Sequence, residues 1–215
     1  MTKNKNCDFF ASGKFYYALI YYFMEKKFEP IERLLPAEEV KLVQSGDMEL
    51  FGQYIKQHLL SQDGQMKMFK TGNLDMLLEY VKVWPFCPAA EVAMLELGNQ
   101  ELLREYSYSL HPKAQLKLLE LGDLDLVKRY LNKFYFTSAV AESKFLQCGD
   151  YDLLKWYMEK NSLHPNAEVK LVKLGNVQLI KDYIQICPLS KAARLELSNL
   201  KGSHLAEYHK AMWKI

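Results

Sequence analysis

The sequence lacks the short motifs that would assign an activity directly. It contains no Gly-x-Ser-x-Gly nucleophile elbow and no His-Glu-x-x-His zinc motif. Its ten glycines all stand singly, so no glycine-rich phosphate loop is present either. We therefore predict that the protein is not an enzyme and that it carries no cofactor.

Cysteine and net charge are also low. The four cysteines, Cys7, Cys87, Cys148 and Cys187, form no Cys-x-x-Cys pair, which is typical of proteins from a reducing compartment, and we predict a cytoplasmic location. Lysine and arginine total 28 against 26 acidic residues, a net charge of +2. Such a balance gives no global attraction to nucleic acid or to an anionic membrane.

Long apolar runs are missing as well. The best candidate extends only from Phe9 to Met24 and is interrupted by Lys14, whereas about 20 apolar residues are needed to cross a bilayer. We expect this stretch to form a packed helix, and we predict no membrane partner.

What the sequence does contain is an internal repeat. Glycine recurs every 24 to 27 residues, and a seventh copy carries Ser198 in the glycine position, with a two-residue insertion around Lys201 and Gly202. A period in this range indicates a repeat architecture. The glycines are Gly46, Gly72, Gly98, Gly122, Gly149 and Gly175.

Each position of the repeat has a physical reason. Apolar pairs four and three positions before the glycine mark one face of a first helix, which the glycine then ends. Asp or Asn follows, where its side chain can cap a second helix. A proline ten positions before the glycine starts the first helix in most copies. A tyrosine eight positions after the glycine is predicted to be core: Tyr54, Tyr80, Tyr106, Tyr130, Tyr157, Tyr183 and Tyr208. Its hydroxyl is expected to reach a loop carbonyl or water.

We therefore predict an all-α fold, an α-α superhelix (solenoid) of about seven to eight short helix-turn-helix repeats. Neither helix is long enough to be stable alone, so stacking must bury the apolar faces. We predict one domain over residues 1–215. Residues 1–35 form an aromatic-rich cap or degenerate repeat, residues 36–197 are regular repeats, and residues 198–215 are a divergent repeat and cap.

The segments GDLDLVKRY and GNVQLIKDY resemble the turn and second helix of ankyrin repeats, and the resemblance covers roughly residues 36–210. The Thr-Pro-Leu-His start is absent, and the period leaves no room for the β-hairpin of the roughly 33-residue ankyrin unit. The chain thus resembles either a hairpin-less ankyrin-like solenoid or a short HEAT-like one. Either resemblance implies a protein-binding scaffold without catalytic residues.

Lysines recur five positions before the glycine, and we call them the lysine row: Lys41, Lys67, Lys117, Lys144 and Lys170. They could contact an acidic protein or peptide, or track a phosphate backbone. They could equally form an ordinary mixed-charge surface, because the same helices carry glutamates: Glu39, Glu91, Glu96, Glu120, Glu142, Glu168 and Glu196. A second basic row six positions after the glycine is assigned to i, i+3 pairs within the second helix: Arg104, Lys128, Lys155 and Lys181.

Two further sets of residues stand out. Trp84 and Trp156 are candidate binding anchors, because the repeat does not require them. A row eleven positions before the glycine includes zinc-ligand types, but adjacent helices pack about 10 Å apart, so no metal site is predicted. That row is Leu35, Ser61, Cys87, His111, Ser138, His164 and Cys187.

The leading functional hypothesis is a scaffold that binds a protein or peptide, acidic if the lysine row is the contact surface. The alternative is a nucleic-acid-binding solenoid in which the lysine row contacts phosphates. The sequence does not identify the partner and predicts no oligomeric state.

Overall fold

The structure is a computed structural model that describes residues 31–200 and 204–214. Throughout these residues, every regular element is an α-helix. None of the described helices combines the length and the apolar character needed to cross a membrane. The aromatic stretch from Phe9 to Met24, which belongs to the expected N-terminal cap, and the expected insertion at Lys201 and Gly202 lie outside the described residues.

Across the described residues, fourteen helices form seven two-helix repeats. The prediction of an all-α helical solenoid is therefore confirmed. The repeats are α1 (Pro36–Ser45) with α2 (Met48–Ile55), α3 (Gln62–Thr71) with α4 (Leu74–Val81), α5 (Pro88–Leu97) with α6 (Gln100–Glu105), α7 (Pro112–Glu120) with α8 (Leu124–Leu131), α9 (Ala139–Phe145) with α10 (Tyr151–Lys160), α11 (Pro165–Leu174) with α12 (Val177–Ile186), and α13 (Lys191–Ser198) with α14 (Leu205–Trp213).

The chain divides into two compact units, one ending at Val83 and one beginning at Trp84. In the first unit, α1 packs on α3 and α2 packs on α4. In the second unit, the first helices of successive repeats, α5, α7, α9, α11 and α13, each pack on the next. Helices α10, α12 and α14 form a second row, while α8 makes no comparably close packing with α6 or α10.

The turn inside each of the first six repeats has the predicted geometry. Gly98 adopts φ 64°, in the left-handed region where a side chain would be strained, and it ends α5. The Asn99 side chain then accepts a hydrogen bond of 2.9 Å from the Leu102 N–H, which opens α6. The equivalent Asp or Asn caps the second helix in each of the first six repeats.

The row that contains cysteine and histidine is the N-cap position of the first helix. Nδ1 of His111 accepts from the Lys113 N–H, and Nδ1 of His164 accepts from the Asn166 N–H. Ser61 and Ser138 cap their helices in the same way. Within the described residues, no three His, Cys, Asp or Glu side chains cluster as a metal site would require.

The register predicted for the seventh repeat is wrong. Helix α13 is capped by Ser190 and buries Ala193 and Leu197, which places the glycine position at residue 201 rather than at Ser198. The spacing from Ser190 to His209 equals that from Ser61 to Tyr80, so this repeat has the usual length, and Ser190 rather than Cys187 is the N-cap of α13. Asn199 after Ser198 resembles the Asp or Asn that follows each glycine, and this similarity suggested the wrong register. The N-cap residue and the buried residues of α13 define the correct one.

A buried glutamate or glutamine lies seven positions before the glycine, and we call this set the linking residues: Glu39, Gln65, Glu91, Gln115, Glu142 and Glu168. In the third repeat, the Tyr106 hydroxyl donates to Oε1 of Glu91 over 2.6 Å. The backbone N–H of His111, in the next repeat, donates to Oε2 over 2.7 Å. Glu39, Glu142 and Glu168 make the same two bonds. Each of these glutamates thus joins its own second helix to the following repeat.

This network corrects two predictions. The linking glutamates are not part of a charged surface, since each is at most 4% exposed. The burial of the first six tyrosines is confirmed except at Tyr130, which is half-buried. In the four glutamate repeats, however, the hydroxyl donates to a carboxylate rather than to a loop carbonyl or water. Burial raises the pKa of Glu91 and Glu142, as expected where a carboxylate is removed from water.

Removing one linking glutamate should destabilise the protein strongly. In Glu91→Ala, the Tyr106 hydroxyl and the His111 N–H both lose their acceptor inside the core, so we expect a loss of roughly 3 kcal/mol in the free energy of unfolding. Glu91→Gln keeps one acceptor oxygen and should lose about 1 kcal/mol. Urea unfolding followed by circular dichroism measures both losses.

The control is Glu96→Ala, which removes an exposed carboxylate from the same helix. This change should lose less than about 1 kcal/mol. Equal losses for Glu91→Ala and Glu96→Ala would contradict the linking role of Glu91.

The seventh repeat replaces both partners of this network. Arg194 stands at the linking position, and His209, rather than Tyr208, stands at the tyrosine position and is buried. Nε2 of His209 accepts a hydrogen bond of 3.1 Å from the Leu189 N–H, as the Tyr183 hydroxyl does from the Leu163 N–H. Burial, and then the positive charge of Arg194, lower the pKa of His209.

This arrangement predicts a pH-dependent stability. The folded protein holds His209 neutral below the pH at which an unfolded histidine gains a proton, about 6.5. The free energy of unfolding should therefore fall as the pH drops below about 6.5. Thermal unfolding between about pH 5 and about pH 7.5 measures the effect.

His209→Tyr should reduce this pH dependence, because tyrosine accepts the same backbone N–H without titrating in that range. The exposed His204 provides the control, and His204→Gln should leave the pH dependence unchanged. An identical pH profile for the wild type and for His209→Tyr would show that His209 is not the titrating group.

Candidate functional site

The lysine row is interleaved with acidic residues. Lys117 lies 2.6 Å from Glu96, and Lys144 lies 3.5 Å from Glu120, each glutamate belonging to the first helix of the preceding repeat. Lys41 and Lys67 belong to the first unit, and the other three lysines belong to the second. In the second unit, this part of the surface therefore has the mixed-charge character that was one of the three sequence interpretations.

The remaining predicted positions are not fully exposed. Trp84 is half-buried at the start of the second unit. Trp156 is half-buried on α10, with the Lys160 ammonium 4.2 Å from the ring centroid. Lys155 lies 4.0 Å from Asp182 on α12, so its assignment to a pair within its own helix is wrong. The cation that contacts the Trp156 ring is thus Lys160 and not a member of the lysine row.

The ion pair of Lys117 should contribute little to stability. We expect Lys117→Ala to lose less than about 1 kcal/mol, because both partners are partly exposed, and we expect the loss to shrink in high salt. Lys170→Ala is the matched control, since Lys170 holds the same repeat position without an ion pair to any described residue. Chemical unfolding at low and high NaCl measures both, and a loss for Lys117→Ala that salt leaves unchanged would contradict the prediction.

A different feature provides a candidate site. A cleft of about 390 Å³ opens in the second unit between α5, α6, α7 and α8. Aromatic and aliphatic side chains form its walls, and cationic side chains lie among them. It is lined by Met94, Leu95, Leu103, Arg104, Tyr106, Tyr108, Leu110, Leu118, Leu126, Arg129, Tyr130, Asn132, Lys133 and Phe134.

The cleft exists because the third repeat is short. Helix α6 ends at Glu105 after six residues, while the second helices of the other described repeats have eight to ten. Nine positions after the glycine, most repeats bury an apolar side chain: Ile55, Val81, Leu131, Met158 and Ile184. In the third repeat, this position holds the exposed Ser107. The missing side chain leaves space beside α8.

Aromatic contacts hold the walls of the cleft. The rings of Tyr106 and Tyr108 meet edge to face with centroids 5.5 Å apart, and Tyr130 and Phe134 lie 5.4 Å apart. The Tyr106 hydroxyl is fixed by Glu91, as described above. The Tyr130 hydroxyl accepts a hydrogen bond of 3.1 Å from Nε2 of Gln115, and burial raises the pKa of Tyr130. Both tyrosine hydroxyls are therefore held by hydrogen bonds to buried linking residues.

The charged side chains that line the cleft all have the same sign. Arg104 on α6, Arg129 on α8 and Lys133 just after α8 all line it and are exposed. Nη2 of Arg129 donates to Oε1 of Gln100 over 2.8 Å, a neutral partner that leaves the positive charge uncompensated. The lining contains no carboxylate, histidine or cysteine. These side chains therefore offer binding contacts rather than a metal site or the usual acid–base pairs.

Sequence reasoning missed this cleft, although a signal was present. The spacing of 24 residues between Gly98 and Gly122 is the shortest in the chain, and Ser107 occupies a position that is apolar in most other repeats. A deletion inside a packed repeat removes side chains that would otherwise contact the adjacent repeat, and this leaves a cleft.

No protein-family model, curated protein or solved structure matches the chain. The repeat network and the cleft are therefore the observations from which a function can be inferred.

Proposed function

We propose that this protein is a non-enzymatic scaffold that binds a peptide segment of another protein in the cleft beside α6. The observation that carries the proposal is the cleft itself, whose volume of about 390 Å³ can take one or two apolar side chains. Its size falls in the range of ligand pockets, which are concave and mostly apolar. Tyrosine and arginine, which dominate the binding energy of many interfaces, supply five of its lining residues.

The walls of the cleft support this proposal because they are held in place. Tyr106 is fixed by Glu91, and α6 is capped by Asn99. The first helices α5 and α7 pack directly on one another. A preformed site loses little conformational entropy on binding, which favours affinity.

The relationship to ankyrin-like or HEAT-like repeats belongs to the same proposal. It is supported by the left-handed glycine and the Asp or Asn cap, which reproduce the turn on which the resemblance rests. The cytoplasmic location is also part of it, consistent with the described cysteines, Cys87, Cys148 and Cys187, which form no disulfide. The nucleic-acid alternative gains no support, since Lys117 and Lys144 face glutamates.

Selection from a library tests the proposed function. Phage-displayed random peptides are selected on the immobilised full chain, and enriched peptides are measured by fluorescence anisotropy. We expect peptides that bind the wild type and bind Asn132→Trp at least about tenfold more weakly, because an indole at the exposed rim position Asn132 obstructs the cleft.

The matched control is Asn166→Trp, which places the same ring at an exposed position on α11 outside the cleft. This variant should bind the peptides as the wild type does. Failure to enrich any peptide, or equal weakening by Asn132→Trp and Asn166→Trp, would contradict the proposal.

A further inference from the structure

We infer that the cleft recognises an acidic peptide segment, in which an apolar side chain enters the cleft and neighbouring carboxylates meet Arg104, Arg129 and Lys133. This inference rests on the proposed function and specifies the chemistry of the partner. It differs from the expectation that the lysine row attracts an acidic partner, because none of the five lysines lines the cleft.

The first argument is that the three cations are uncompensated. Neither Arg104 nor Lys133 lies within ion-pair distance of a carboxylate in the described part of the chain, and Arg129 is held only by the neutral Gln100. By contrast, Lys117 and Lys144 are paired with glutamates on the same unit. Positive charge on this unit is therefore available at the cleft and largely neutralised along the lysine row.

The second argument is that the carboxylate beneath the cleft is bonded to other groups and does not pair with the three cations. Both oxygens of Glu91 already accept hydrogen bonds, from Tyr106 and from the His111 backbone. Beneath Tyr130, the linking residue is Gln115, which carries no charge. Apolar walls around cations of one sign concentrate their field, which raises the attraction for an anionic ligand.

The third argument concerns the shape of the ligand. Guanidinium groups bind carboxylates through paired hydrogen bonds, and here two of them line the same cleft as the aromatic side chains. A nucleic-acid backbone requires cations that recur along its path. In the lysine row, however, Lys117 and Lys144 are paired with glutamates, and in the second basic row Lys155 is paired with Asp182. A peptide with one apolar residue between acidic ones would place its apolar side chain against the aromatic and aliphatic walls and its carboxylates near Arg104, Arg129 and Lys133.

The experiment uses the peptides whose binding is weakened by Asn132→Trp. Each is resynthesised with every Asp replaced by Asn and every Glu replaced by Gln. We expect the selected peptides to be rich in Asp and Glu, and the amide versions to bind at least about tenfold more weakly. Raising NaCl from about 0.05 M to about 0.5 M should weaken the acidic peptides far more than the amide versions.

Variants of the protein provide the reciprocal measurement. Arg104→Glu combined with Lys133→Glu should weaken the acidic peptides at least about tenfold. The control pair is Lys128→Glu with Lys181→Glu, two exposed lysines of the same unit outside the cleft, and it should change binding far less. Thermal unfolding of both double variants checks that each remains folded.

The outcomes separate this inference from the proposed function. If cleft-dependent peptides bind equally well as amides, or if both double variants bind alike, the acidic specificity is wrong while peptide binding stands. If no peptide depends on Asn132, both are wrong. Binding of dodecanoate, used as a carboxylate probe, in the absence of any peptide would replace the peptide with a small anionic ligand.

Discussion

The structure depends on one repeated interaction, in which a buried carboxylate accepts hydrogen bonds from two different repeats. Oε1 of Glu168 accepts a hydrogen bond from the Tyr183 hydroxyl, and Oε2 accepts one from the Ser190 backbone N–H. A carboxylate removed from water is costly unless its lone pairs are satisfied, so the linking position favours the register in which both donors are present. Apolar stacking alone would tolerate several rotations of one short helix pair on the next. The hydrogen bonds to the N-cap region add a directional constraint that sets where the next first helix begins.

The cleft follows from the same rule. Glu91 still accepts hydrogen bonds from Tyr106 and His111, although the segment between Tyr106 and His111 is shorter than its equivalents in the other repeats. The deletion is therefore confined to the segment after Tyr106. The first helices α5 and α7 remain packed, while α6 loses the turn that would have placed an apolar side chain against α8. A lost turn in the second helix therefore opens the surface without interrupting the row of first helices. In this way a change in loop length creates a concave site on an otherwise regular fold.

Much of the fold could be predicted from the sequence because its signals are local. The glycine and the Asp or Asn after it act within one turn. The φ of 64° at Gly98 and the Asn99 cap confirm the predicted helix end and helix start. The linking glutamates were missed because a glutamate beside exposed charges looks like surface. Their position is nevertheless three and four residues before the apolar pair, on the same helix face, and only Glu or Gln occupies it in six repeats. The cleft could not be read from any motif, since it arises from a side chain that is absent.

The linking residue beneath the cleft, Gln115, bears on both the stability of the fourth repeat and the proposed binding in the cleft. Nε2 of Gln115 lies within hydrogen-bond distance of three acceptors, the Leu110 carbonyl, the Tyr130 hydroxyl and Oγ1 of Thr137, which share its two protons. Its Oε1 accepts from the Thr137 N–H. A glutamate there could accept from Thr137 and Tyr130, but it would face the Leu110 carbonyl with no proton to share. It would also bring a negative charge beneath a wall whose rim carries Arg129 and Lys133. Glutamine bonds to the loop and adds no negative charge beneath the cleft, so one choice of side chain serves the packing of the fourth repeat and the proposed binding of an anionic segment.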